Sequence, residues 1–252
     1  MSIECQGVSK RFGSTQALEE ISLTLESGHI YGLLGNNGAG KSTLLKTLYF
    51  DQPATSGEAT LTMYQNGKAN ILEASSQQRR YLRNHLMGMV YQNPMLGLRM
   101  NISSGANIAE KLIAAGSRNA GRMIARSSQL LEHVEIPVER LRDQPRVFSG
   151  GMQQRVQISK AIANNPPILL LDEVTTGLDL SVQAKVLDLI RTIQQELGIA
   201  MMIVSHDLSV IRMMSDRTMV MLGGRVVEEG LTDQILENPL HAYTQTLVSS
   251  LL

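Results

Sequence analysis

Only one cysteine, Cys5, occurs in the 252 residues. No internal disulfide can form, which excludes a stapled secreted scaffold and fits a reducing compartment. Cys5 reads as a small, semi-apolar side chain near the N-terminus. Charge of one sign is also missing: Lys+Arg and Asp+Glu stand at 23 each. No global field therefore draws the chain to nucleic acid or anionic lipid. No apolar run nears the ~18 residues that a membrane span requires, and the start, MSIECQGVSKRFG, lacks the apolar stretch of a signal peptide. Repeats, low-complexity tracts and long linkers are absent as well. The expectation is a soluble cytoplasmic protein with no nucleic-acid partner, free to dock on something larger.

What is present is an ordinary globular composition, 43% hydrophobic and 18% charged. A chain of this length builds one large α/β domain or two small ones. Residues 3–8 and 18–25 alternate like strands, with a turn at Ser27-Gly28. His29–Leu34 reads as a short buried strand, followed by a glycine-rich loop and a helix from Lys41 to about Phe50. Helical patterns at Asn107–Ala115 and Met123–Val134 carry basic clusters, Arg79-Arg80-Arg83 before them and Arg118-Arg122-Arg126 among them, read as solvated faces. After Pro166-Pro167 come an apolar strand, ILLL, and an amphipathic helix marked by Val182, Val186, Leu189, Ile193 and Leu197 and stopped by Gly198. Ile199–Val204, Thr218–Leu222 and Arg225–Val227 add strands, and a final helix closes the tail. Strands apolar on both faces, alternating with helices, predict a largely parallel sheet covered on both sides.

The loop Gly35-Asn36-Asn37-Gly38-Ala39-Gly40-Lys41-Ser42 is a complete G-x-x-x-x-G-K-S, leaving a strand and opening a helix. Glycines let successive N–H groups turn inward around phosphate oxygens, at a helix end whose dipole favours anions. Lys41 supplies a positive charge for β- and γ-phosphates, and the Ser42 hydroxyl can ligate Mg²⁺. A nucleotide with Mg²⁺ also needs an acid at the carboxyl edge of the sheet. ILLLDE delivers two there. Alone, such a pair is usually a solvated loop; beside the glycine loop, Asp172 is placed to hold the metal and Glu173 to act as general base toward a water.

With FSGGMQQ at 148–154 upstream of those acids, the chain resembles the ATP-binding-cassette (ABC) ATPases along essentially its whole length. The resemblance implies an α/β P-loop fold of ABC type: a mostly parallel core sheet, an N-terminal antiparallel β part and a helical subdomain. It implies one domain, 1–252, with that subdomain at about 93–165. It also implies roles that the residues alone would not carry. Gln92 in YQNP looks like the glutamine that touches Mg²⁺ and senses the γ-phosphate. Asp179 in GLD looks like the D-loop acid, and His206 in VSHD like the switch histidine. Phe12 lies where an aromatic ring stacks on adenine, and Thr43 completes the phosphate loop. Ser149, Gly150, Gly151 and Met152 would reach the γ-phosphate held by a second copy in a head-to-tail dimer, so ATP and Mg²⁺ are bound between two chains.

Val174 stands where the family usually has proline, which loosens the turn after Glu173. SGGM in place of the commoner SGGQ, together with LGLRMNISSGANIAEKLIAAGSR, SVQAKVLDLIR and HAYTQTLVSSLL, resembles the peptide and nickel importer branch and, within it, the ATPase of bacterial carbon–phosphorus lyase. Importer ATPases of that branch usually run on into a cysteine-containing extension, so a soluble lyase core is the expected partner. A membrane permease, with peripheral membrane attachment, is the alternative, and a nucleotide-gated assembly module with little turnover is a further one. Docking is expected on YQNPMLGLRM, through Leu96 and Leu98.

Overall fold

The chain opens with a long hairpin, β1 (Ser2–Phe12) and β2 (Thr15–Glu26). It then dives into the centre of the molecule as β3 (Ile30–Leu34), every residue of which is buried. β4 (Ser56–Leu61) returns to β1, giving a three-stranded antiparallel sheet of order β2-β1-β4. The computed structural model describes residues 2–251. The main sheet adds β5 (Met87–Val90), β6 (Ile168–Asp172), β7 (Ala200–Val204), β8 (Arg217–Leu222) and β9 (Arg225–Leu231), in the order β5-β6-β7-β3-β8-β9. All its pairings are parallel except that of β8 with β9.

Alternation along each strand feeds two cores. On β6, Leu169 and Leu171 enter one that the helices complete, while Ile168 and Leu170 enter the other, against the three-stranded sheet. The helices are α1 (Lys41–Leu48), α2 (Ser76–Tyr81), α3 (Pro94–Gly97), α4 (Ser104–Ala114), α5 (Ala120–His133), α6 (Gly150–Ala161), α7 (Leu180–Leu197), α8 (Leu208–Met214), α9 (Thr232–Glu237) and α10 (Ala242–Leu251). α3 to α6 all lie between β5 and β6 in the chain. The resulting P-loop fold, a parallel core with an antiparallel β part and helical elements, is the one the resemblance implies.

Several boundaries differ from the sequence reading. α1 ends before Phe50, whose backbone turns left-handed at φ 63°. The tail is two helices, because Pro239 lacks the N–H that a continuous helix would need. β4 carries mostly polar residues on an edge, so it gives no apolar signal. Three of the arginines are half-buried rather than solvated, and Arg79 donates to the Leu72 carbonyl at 3.1 Å. Arg83 donates to the carbonyls of Tyr49 (2.8 Å) and Phe50 and pairs with Asp51 at 3.1 Å. Arg126 reaches the Ala163 carbonyl (3.2 Å) and Asn165 (2.6 Å). Arg83 and Arg126 satisfy carbonyls left open where a helix stops. Leu98 is buried, so the exposed apolar residues of the expected docking segment are Met95 and Leu96, each 65% exposed.

Candidate functional site

The loop after β3 is pressed between two strands, and that contact explains two of its glycines. At Gly35, φ is 148° and a Cβ would lie 2.3 Å from the Met221 carbonyl oxygen; at Gly40, φ is 106° and a Cβ would lie 2.6 Å from that of Ala17. No other residue fits. Ala39 is buried and holds the loop to the rim of β8, its N–H on the Asn36 carbonyl (3.1 Å) and its carbonyl accepting from Gly224 N–H (3.0 Å). The Lys41 ammonium is folded into the loop, donating to the carbonyls of Gly35 (2.7 Å) and Asn36 (3.1 Å). Burial holds its pKa below the usual lysine value, opposed by the charges of Glu173 and Asp172. Among the described residues it is a desolvated cation without a direct carboxylate contact, the condition under which an arriving anion is strongly favoured.

The parallel register sets Asp172 of β6 beside Val204 of β7. This brings three chain segments to one edge of the sheet. The Ser42 hydroxyl donates to Asp172 Oδ1 at 2.7 Å. Asp172 is only 3% exposed; burial raises its pKa, with the Ser42 hydrogen bond opposing. Glu173 follows in the left-handed region, φ 45°, with its N–H on the Val204 carbonyl (3.0 Å). A non-glycine residue held there is strained, and such strain persists where the surroundings dictate it. Glu173 Oε2 accepts from Gln92 Nε2 (2.8 Å) and Thr176 Oγ1 (3.1 Å), with His206 Nδ1 at 3.5 Å. Val174 is buried in the core, and Thr176 N–H closes the turn on the Glu173 carbonyl at 3.2 Å.

These groups surround a cavity of about 860 Å³ whose walls include Gly35, Asn37, Ser42, Gln92, Glu173 and His206. A second hollow of about 200 Å³ runs along Gly38, Lys41 and Thr43. Tyr243 and Leu247 of α10 also belong here: the Asn36 N–H donates to the Tyr243 hydroxyl at 2.9 Å, and Leu247 lines the larger cavity. Sequence reasoning misses both, because nothing local in HAYTQTLVSSLL says that the tail returns to a loop 207 residues earlier.

Other candidates lie apart from this cavity. Ser149 caps α6, its Oγ accepting from Met152 N–H at 3.4 Å. Gly151 abuts α7, where a Cβ would lie 2.3 Å from Val182 Cγ1, so the turn at 149–151 and the start of α7 are packed as one unit. Asp179 caps α7 through Val182 N–H (3.0 Å) and Ser181 Oγ (2.8 Å), and those bonds hold its carboxyl below the usual range. Phe12, half exposed, ends β1 with the Lys10 ammonium 4.7 Å from its ring centre. None of Phe12, Ser149, Gly150, Gly151, Met152 or Asp179 lines either cavity.

A glycine-rich loop opening a helix, a buried lysine, a hydroxyl–carboxylate pair and a carboxylate accepting from Gln92 and Thr176 make a phosphate-handling site. The comparisons with known proteins agree. The profile of the ABC transporter family matches residues 18–176. An Escherichia coli K12 relative, named a phosphonates utilization ATP-binding protein (PhnK), is 44% identical over 94% of this chain and 92% of its own length. A methionine import ATP-binding protein of Pectobacterium atrosepticum, MetN 2, is 40% identical over 99% of this chain and 72% of its own. Among solved structures, the dimeric post-hydrolysis state of the ATP-binding cassette MJ0796 with ADP and Pi superimposes with a TM-score of 0.81 at 27% identity, over 91% of this chain and 98% of that one. The chain belongs to the ABC transporter family and is an ATP-binding-cassette ATPase.

Proposed function

We propose that this ATPase hydrolyses MgATP as a head-to-tail dimer and serves a cytoplasmic carbon–phosphorus lyase assembly. The observation that carries the partner is the 44% identity to the phosphonates utilization protein over nearly the full length of both chains.

In this reading the N–H groups of 35–43 and the Lys41 ammonium take the β- and γ-phosphates, and Phe12 stacks on the adenine. Among the described residues no three acids, histidines or cysteines converge on a metal position. The Ser42 hydroxyl and the Asp172 carboxylate, 2.7 Å apart, fit Mg²⁺, which is held by one or two side chains together with phosphate oxygens and water. Ser42, Asp172 and Gln92 would hold it, and when bound it supplies charge neutralisation on the phosphate oxygens. Water attacks the γ-phosphorus, Glu173 takes its proton, and the bond to the bridging oxygen breaks to release ADP and phosphate. His206, beside Glu173, steadies the γ-phosphate and the base. Ser149, Gly150, Gly151, Met152 and Asp179 act across the interface on the other copy's nucleotide. Their separation from the cavity of their own chain supports that arrangement.

One observation favours an importer instead: the 40% identity to a methionine import ATPase across 99% of this chain. Among the described residues no helix is long and apolar enough to cross a membrane. Binding to immobilised protein separates the readings. A purified lyase core is expected to bind the wild type, and Met95→Asp/Leu96→Asp is expected to lose that binding while keeping ATP affinity. Capture of a detergent-solubilised permease, with no binding of the core, replaces the lyase reading.

A further inference from the structure

One face of α6 grips the segment that carries Gln92 at both of its ends. Gln154, Gln157 and Lys160 follow at three-residue spacing, so their side chains leave the helix on the same side. Gln157 Oε1 accepts from the Tyr91 N–H at 2.7 Å, and its Nε2 donates to the Tyr91 carbonyl at 3.0 Å and to Gln154 Oε1 at 3.2 Å. Gln154 Nε2 donates to the same carbonyl at 3.3 Å. At the far end, Lys160 Nζ donates to the Gly97 carbonyl at 2.9 Å. The orientation of the Gln157 amide is dictated, because a backbone N–H can only donate and must face the oxygen. Gln154 and Gln157 are 2% and 1% exposed, and both amides have their partners inside the protein. A buried polar network completed in this way holds its members in one arrangement. Gly97 leaves room for it: a Cβ there would lie 2.2 Å from Gln157 Oε1.

Tyr91 directly precedes Gln92, whose amide donates to Glu173 at 2.8 Å. The helix that holds the Tyr91 peptide begins with Gly150 and Gly151. We propose that Gln157 is a positioning residue for ATP hydrolysis: through the Tyr91 peptide it sets Gln92 against Glu173 and ties that contact to the helix presenting Ser149 and Gly150. The proposal rests on the ATPase reading of Glu173 and adds a residue to it. Gln157 lines neither cavity of the phosphate site, so its effect falls on turnover rather than on ATP binding.

Gln157→Met keeps the length of the side chain and removes both bonds to Tyr91. The expected result is a kcat lower by about tenfold or more with KM for ATP within about twofold, since a small misplacement of a catalytic group costs rate and not ground-state binding. Gln157→Glu, which still accepts from the Tyr91 N–H, is expected to fall between the two. Gly97→Ala tests the same contact if Gln157→Met fails to fold, because it displaces the amide without altering any hydrogen-bonding group; it is expected to lower kcat likewise. Wild-type kcat in Gln157→Met or Gly97→Ala, or a KM that rises in step with the loss, overturns the proposal. The reading beneath it is checked separately by Glu173→Gln. If that variant hydrolyses ATP at the wild-type rate, the assignment of Glu173 falls; if it is inactive while Gln157→Met is unimpaired, only the positioning role does.

Discussion

Lys41 and Asp172 are displaced in opposite directions by one cause. Burial disfavours the charged form of each, which lowers the lysine and raises the aspartate. Removing the ammonium in Lys41→Ala deletes a charge-assisted contact to phosphate, expected to cost about 2 kcal/mol, or roughly thirtyfold in Kd, by fluorescent-nucleotide titration. An affinity equal to wild type would contradict the phosphate site. For Asp172 the sign follows from the raised value. Above the ordinary 3.8 the folded state holds the proton more tightly than the unfolded one, so this group's contribution to stability is full below 3.8 and lost as pH rises through the folded pKa. Asp172→Asn keeps a hydrogen-bond acceptor for Ser42 but cannot titrate. Urea melts without nucleotide are expected to show the variant losing less stability than wild type from about pH 4 to pH 7, with hydrolysis abolished. Parallel pH profiles for the two proteins would refute this account.

Elements whose signal is local match the sequence reading well. α7 carries its apolar stripe at helical spacing, and Asp179 and Gly198 mark its two ends. Gly198 sits left-handed at φ 58°, with its N–H on the Gln194 carbonyl at 2.8 Å. Gly198→Ala is expected to destabilise by about 1 kcal/mol and lower Tm by roughly 2–4 °C, measured by calorimetry. An unchanged Tm would mean that the cap contributes nothing. Elements without such a signal were not legible. β4 pairs with β1 through backbone groups and presents polar residues to water. α1 was read two residues too long because the left-handed turn at Phe50 depends on Arg83, which arrives from another part of the chain.

At the scale of the whole molecule, the groups proposed to act on one nucleotide are not all on one cavity. Glu173, Gln92 and His206 meet there, whereas Ser149 and Asp179 sit at the starts of α6 and α7, away from it. Glu173→Gln preserves shape and hydrogen-bonding capacity but cannot take a proton from water, so it is expected to bind ATP and nearly cease turnover. With MgATP this variant is expected to elute as a dimer on size exclusion, and as a monomer without nucleotide. Elution as a monomer in both conditions would count against the action of Ser149 and Gly150 on a second chain's nucleotide.

The phosphate loop, the strand ending on two acids and the glycine stop of α7 were readable from residues 35–42, 168–173 and 182–198 alone. Their physics is local: a glycine that frees φ, an apolar run that must be buried. The contacts that assemble the site are different in kind. Ser42 meets Asp172 across 130 residues, Tyr91 meets Gln157 across 66, and Asn36 meets Tyr243 across 207. In the last two, one partner is a backbone group that every residue type carries, so no composition or spacing distinguishes it. Only the parallel register of the sheet and the packing of α6 and α10 against it select which peptide receives which side chain.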